Sequence, residues 1–168
     1  MYRRFVFEGE IHQSLSCVPL AVRRKLDVAG LKISLAGWQA LSRAERLGLC
    51  HLPIANDDEV AVYREVMRGF CDGHGVALTT LDDPQAHSRV WNSVQMPAAV
   101  AARVAATGGS LDQAAWHALD EDSRYGLLKM AEPKQSPAKF QAILAELGFL
   151  PALAESEARA AQACERAE

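Results

Sequence analysis

The sequence predicts an all-α fold, and three observations indicate it. Apolar residues recur at helical spacing along most of the chain, capping residues precede these segments, and few segments have the composition of a strand. The chain has 168 residues, 49% hydrophobic and 23% charged, a composition typical of a globular protein. This composition excludes a disordered or low-complexity chain.

The first element is an N-terminal arm. Residues 5–11 are aromatic and β-branched with partial alternation, but few other segments could pair with them as strands. We therefore predict a short extended N-terminal arm that packs on helices. Glu8 and Glu10 interrupt any hydrophobic core of a signal peptide.

Capping signals then place the helices. Pro19 and Gly30 bound a first amphipathic segment, with proline at its start and glycine at its C-cap. Two further helix starts are predicted from capping residues, Ser34 and the Ser-x-x-Glu capping box of Ser42 with Glu45, and the acidic residues in 56–59 predict another. Residues 81–89 are polar and contain a proline, so we predict a loop there.

The pattern then repeats. A shift of 78 residues places residues 18–52 on residues 96–130 without a gap. Identical pairs include Pro19 with Pro97, Gly30 with Gly108, Trp38 with Trp116, and Arg46 with Arg124. Two pseudo-symmetric multi-helix repeats follow, at about 18–72 and 96–148, joined near 75–95.

Each repeat alone is short of core, so we predict one helical domain over residues 1–150, packed around a pseudo-twofold axis. Alternatively, the two tryptophan-bearing units could form the face of a homodimer. Residues 151–168 are rich in Ala, Glu and Arg, which predicts a helical or frayed C-terminal tail.

Charge and motifs exclude several function classes. The net charge is −3, which argues against a general nucleic-acid binder. No stretch of about 18 uncharged apolar residues occurs, so we expect no membrane span and a cytoplasmic protein. Four separated cysteines without a CxxC motif predict free thiols, and we expect no metal site, cofactor or catalytic group.

One basic run is a candidate partner-binding surface. Arg23, Arg24 and Lys25 are consecutive, whereas residues 101–103 at the matching place in the second repeat have lost most of that charge. A feature absent from one repeat is not required by the fold, which favours a contact with a partner. The alternative is a solvated helix face.

Arg46 and Arg124 are candidate ligand-binding residues. Each follows a predicted helix cap, and a guanidinium can hold a carboxylate or phosphate with two hydrogen bonds. The alternative is a structural tie between helix ends. The matched Trp38 and Trp116 are interpreted as core anchors rather than stacking platforms, because duplicated folds retain what packs.

Cys50 and His51 are adjacent and could bind metal only if both pointed at one ion. Neighbouring residues on a helix point about 100° apart, so we expect packing at Cys50 and solvent at His51.

A set of short motifs carries a family resemblance. The motifs follow one order along the chain: Phe5-Val-Phe-Glu8, Ser14-Leu-Ser-Cys-Val-Pro19, Val22-Arg-Arg-Lys-Leu26, Gly30-Leu-Lys-Ile-Ser-Leu35, Ser42-Arg-Ala-Glu-Arg46, Val94-Gln-Met-Pro97 and Arg124-Tyr-Gly-Leu-Leu-Lys129. Over residues 3–150 the chain resembles the nitrate reductase-associated protein family. Such proteins are encoded near assimilatory nitrate reductase genes in bacteria, and a cyanobacterial member is understood to be required for active nitrate reductase.

The resemblance implies a non-catalytic accessory or assembly factor that binds nitrate reductase during cofactor maturation. Its expected contact regions are residues 23–25 and 73–95. The alternative is a carrier of a small ligand or molybdenum cofactor, bound in the cleft between the repeats by Arg46 and Arg124. A third hypothesis is an enzyme that uses Cys17 as its nucleophile.

Overall fold

Helices dominate the structure. A computed structural model describes residues 2–150, without the side chains of residues 85–87. In this part of the chain a short 3-10 helix (Val6–Glu8) precedes ten α-helices: α1 (Ile11–Ser14), α2 (Leu20–Ala29), α3 (Leu35–Ala40), α4 (Arg43–His51), α5 (Asp57–Gly73), α6 (Pro84–Trp91), α7 (Ala98–Thr107), α8 (Gln113–Ala118), α9 (Glu121–Ala131) and α10 (Pro137–Glu146). The mostly helical fold predicted from the sequence is confirmed.

The chain divides into two compact units. Unit 1 runs from Met1 to Ser93, and unit 2 begins at Val94. The division falls within the segment 75–95 that the sequence predicts as a joint. The predicted single domain stays a prediction, and the predicted helical or frayed tail at 151–168 lies outside the described residues.

Helix boundaries follow the predicted caps. Gly30 ends α2 in the left-handed conformation (φ 69°), and the Ser34 side chain accepts the Gly37 N–H at the start of α3. Ser42 and Glu45 form the capping box of α4, with each side chain bonded to the other's backbone N–H. Each cap supplies hydrogen bonds that the helix end cannot make internally.

The predicted loop at 81–89 is wrong, because α6 occupies most of it. Pro84 is the first residue of α6, where its missing N–H removes no helical hydrogen bond and its fixed φ suits a helix. Trp91, at the other end of α6, is buried. The proline that the sequence analysis interprets as a sign of a loop therefore begins a helix.

Gly30 is required by a close contact with α6. A Cβ at this position would lie 2.5 Å from Cγ of Pro84, and the positive φ would strain any L side chain. Beside it, β1 (Leu31–Lys32) and β2 (Thr79–Thr80) pair antiparallel, with Leu31 opposite Thr80. These contacts hold the start of α6 against the end of α2.

The extended N-terminal arm is also corrected. Residues 6–8 form a 3-10 turn and α1 follows after a reversal at Gly9 (φ 50°). Helical turns satisfy backbone groups locally, whereas an extended arm would need a strand partner. Phe5 is buried, and Tyr2 and Leu15 belong to the core of unit 1, so the arm is packed as expected.

Each unit has its own buried residues. The core of unit 1 is built mainly from α2, α3, α4 and α5, around Trp38, Leu49, Tyr63 and Met67. Unit 2 buries apolar residues from α7 to α10: Val100, Val104, Leu111, Trp116, Tyr125, Leu127, Met130, Phe140, Ile143 and Leu144. Within residues 2–150, no helix combines the length and apolar character needed to cross a bilayer.

Candidate functional site

Arg46 and Trp38 converge on one backbone carbonyl. Leu15 ends α1 with a positive φ of 51°, which is strained for a leucine and turns its carbonyl toward α3 and α4. That oxygen accepts Nε1 of Trp38 at 2.7 Å and Nη1 of Arg46 at 2.9 Å. Arg46 therefore ties the N-terminal segment (residues 2–18) to α4, as the structural alternative expects.

Lys25 lies inside unit 1 rather than on its surface. The residue is 7% exposed, and Nζ donates to the Cys50 carbonyl at 2.7 Å and to the Leu52 carbonyl. Both carbonyls belong to the C-terminal end of α4, which carries partial negative charge and unpaired acceptors. Lys25 is thus a cationic cap for a neighbouring helix.

Arg23 and Arg24 are the accessible part of the basic run. Arg23 is exposed and its Nε donates to the Val18 carbonyl at 2.9 Å, while Arg24 is half-buried. The three consecutive cations therefore occupy three different environments. Only the first two could meet a partner without rearrangement of the fold.

Arg124 lies in unit 2, whereas the other four candidate residues lie in unit 1. It is half-buried on α9, and its Nε is buried without a hydrogen-bond acceptor. Its neighbour in the pattern, Trp116, is fully buried, which fits the interpretation as a core anchor. Trp38 is buried in the same way in unit 1.

Replacement of Arg46 by alanine tests the tie to Leu15. We expect the free energy of unfolding to fall by about 1–2 kcal/mol, because a charged donor to a backbone carbonyl is lost in a half-buried site. Urea unfolding followed by tryptophan fluorescence measures this. Arg43→Ala is the matched control, since Arg43 donates to the Gln13 carbonyl at an exposed position. An Arg46→Ala protein as stable as wild type would contradict the structural role and favour the ligand-binding role of Arg46.

Two of the cysteines, Cys50 and Cys71, are buried as packing residues. Cys50 is buried and His51 exposed, as predicted, and burial is the main cause that raises the pKa of the Cys50 thiol. Cys17, Cys50 and Cys71 are free, and Cys164 lies outside the described residues. Among residues 2–150, no group of three or more His, Cys, Asp or Glu side chains is arranged to hold a metal ion.

Comparison with known proteins identifies the family. The sequence-family model described as conserved nitrate reductase-associated protein matches residues 4–147. The chain belongs to the nitrate reductase-associated protein family. No curated protein and no solved structure matches it.

Unit 1 of this chain contains a polar cluster that the sequence analysis did not predict. It comprises Tyr2, Glu8, His12, Cys50 and Tyr63, from the N-terminal segment, α4 and α5. The Tyr63 hydroxyl is buried without a hydrogen-bond partner, and burial is the main cause that raises the pKa of both phenols. These residues are scattered through apolar or charged stretches, so no local pattern marks them.

Glu8 connects this cluster to α2. Its Oε1 accepts the Leu20 N–H at 2.8 Å, so a carboxylate twelve residues upstream caps the helix. Oε2 lies 3.2 Å from Nε2 of His12, outside hydrogen-bonding geometry. Burial raises the pKa of the Glu8 carboxyl, against the lowering effects of the Leu20 N–H and of the His12 and Arg23 charges.

The raised pKa of Glu8 predicts a pH effect on stability. The folded state holds the Glu8 proton more tightly than the unfolded state, so this stabilisation is present in acid and lost as pH rises through the folded pKa. Glu8→Gln keeps an acceptor for Leu20 without titrating. We expect its unfolding free energy, relative to wild type, to increase between about pH 4 and pH 7.

Urea titrations of both proteins across this pH range measure the difference in their unfolding free energies. The contributions of titratable groups that both proteins share cancel in this difference. Glu10→Gln is the matched control, because Glu10 is exposed. A relative stability of Glu8→Gln that falls with pH would mean that attraction to His12 and Arg23 outweighs the cost of burial.

Proposed function

We propose that the chain is a non-catalytic, cytoplasmic accessory factor that binds nitrate reductase during cofactor maturation. The observation that carries the proposal is the family match over residues 4–147. A helper of this kind needs a contact surface rather than a nucleophile. Burial raises the pKa of the Cys50 and Cys71 thiols, which agrees with that requirement, whereas the nucleophile candidate Cys17 is half-buried.

The proposed contact surface is formed by Arg23 and Arg24 on α2. Arginine is enriched in protein interfaces, and these two cations are more accessible than Lys25, which caps α4. The predicted contact region at 73–95 stays a second candidate, now with α6 in it.

Deletion of the gene tests the function, with nitrate reductase activity and protein level measured in cells grown on nitrate. We expect the activity to fall while the enzyme protein remains, because maturation would fail. Unchanged activity would contradict the proposal. Loss of the enzyme protein itself would also contradict it, since that result indicates a role in expression or protein stability.

The contact surface has its own test. The double variant Arg23→Gln/Arg24→Gln should reduce co-purification of nitrate reductase about tenfold or more, since interface arginines are frequent hot spots. Arg68→Gln is the matched control, because Arg68 is exposed on α5 and pairs with Glu65. Unfolding curves verify that each variant folds. Equal recovery by the double variant and wild type would exclude this surface.

We also propose that the two units are pseudo-symmetric repeats. The bounds of α2 and α7 differ by 78 residues at both ends, and so do those of α3 and α8. Both α2 and α7 follow a proline and end at a left-handed glycine, and Ser34 and Asp112 make the same N-cap bond. These agreements in local geometry support a common origin of the units.

A further inference from the structure

A pocket in unit 1 has neither Arg23 nor Arg24 in its lining, although Asp83, Pro84 and Ser88 belong to the second candidate contact region at 73–95. It has a volume of about 540 Å³, within the range of small-molecule sites, and is lined by parts of α2, α5 and the start of α6. Its lining includes both signs of charge, with Arg64, Asp57 and Asp83. Val28 and Val60 supply apolar surface to the same pocket.

Arg64 is held in place while part of its guanidinium stays available. Nε donates to the Ala29 carbonyl at 2.7 Å, which fixes the planar group at the end of α2. Among the described residues, Nη1 and Nη2 have no hydrogen-bond or ion-pair partner, although two carboxylates line the same pocket. A fixed fork with two available donors suits a carboxylate.

The acidic side of the pocket suits an amine. Asp57 is the first residue of α5 and makes no ion pair with any described residue, and Asp83 lies 3.9 Å from Arg89. Asp57, Val60 and Arg64 are spaced three and four residues apart, so they share one face of α5. Seven residues separate the backbone positions of Asp57 and Arg64 by about 10 Å, or two turns, along the helix axis.

We propose that this pocket binds a small zwitterion of the ω-amino acid class. Its carboxylate would be held by the Nη atoms of Arg64 and its ammonium by Asp57, with the methylene chain on Val28 and Val60. Because Asp57 and Arg64 stand two turns apart on α5, the pocket should favour a ligand with separated charged ends over a compact one. This inference does not depend on binding of nitrate reductase.

An NMR titration of the full chain with matched compounds tests the proposal. The probes are ε-aminocaproate, hexanoate and hexylamine, which share a carbon chain and differ in their charged ends, together with β-alanine as a short zwitterion. We expect ε-aminocaproate to bind about fivefold more tightly than each of the others, the effect of one additional exposed ion pair. Equal binding of all four compounds, or no binding, would overturn the proposal.

Two variants assign the ends of the ligand. Asp57→Asn should remove the preference for ε-aminocaproate over hexanoate, whereas the control Asp58→Asn should keep it, since Asp58 does not line the pocket. Arg64→Gln should remove the preference over hexylamine. Because Arg64→Gln also loses the hydrogen bond to the Ala29 carbonyl, thermal unfolding is used to check that it folds. If it does not fold, the Asp57→Asn variant alone tests the proposal, since Asp57 is exposed. Preferences unchanged in Asp57→Asn would overturn the assignment.

Discussion

Replacement of Lys25 by methionine is expected to lower the free energy of unfolding by about 2–3 kcal/mol, although methionine retains most of the aliphatic volume. The variant loses a charged donor to the carbonyls of Cys50 and Leu52 at the C-terminal end of α4. Replacement of a whole buried ion pair by apolar groups is often neutral. Here the carbonyl partners remain, so they are left without that donor.

Urea unfolding at neutral pH measures the effect, and Lys32→Met is the matched control. Lys32 is an exposed lysine on β1, and its replacement should change stability by less than about 0.5 kcal/mol. A Lys25→Met protein as stable as wild type would show that water replaces the ammonium at the end of α4. A loss of stability in both variants would indicate that net charge, rather than the cap, is responsible.

Helix boundaries were predictable because their determinants are local. The bonds made by Ser34 and Ser42 join residues three apart, and the left-handed Gly30 directly follows α2. Pro84 shows the limit of such reasoning. A proline can end one helix or begin another. The close approach of Pro84 to Gly30, 54 positions away, decides that Pro84 begins α6.

The roles of the cations could not be read locally. Nζ of Lys25 bonds a carbonyl 25 positions away, and Arg46 bonds one 31 positions away. A run of basic residues is compatible with a solvated face, a partner surface or internal caps, and only the packing of α2 against α4 separates these. The same holds for Glu8, whose partner Leu20 lies on another helix.

Replacement of Trp38 by phenylalanine is expected to lower the free energy of unfolding by about 2–3 kcal/mol. The fully buried indole loses volume and the Nε1 bond to the Leu15 carbonyl. Arg46 still donates to that oxygen in the variant, so the strained turn at Leu15 keeps one donor.

A double-mutant cycle with Arg46→Ala shows whether the two donors act on one acceptor. Either single change leaves the Leu15 carbonyl with a donor, whereas the double variant leaves none, so its loss should exceed the sum of the single losses by about 1 kcal/mol. The control cycle pairs Trp38→Phe with Arg43→Ala, whose acceptor is the Gln13 carbonyl, and should be additive. Additivity in both cycles would mean that water replaces the lost donors at Leu15. The turn would then be held by apolar packing, and Arg46 would be available for the ligand role that the sequence also allows.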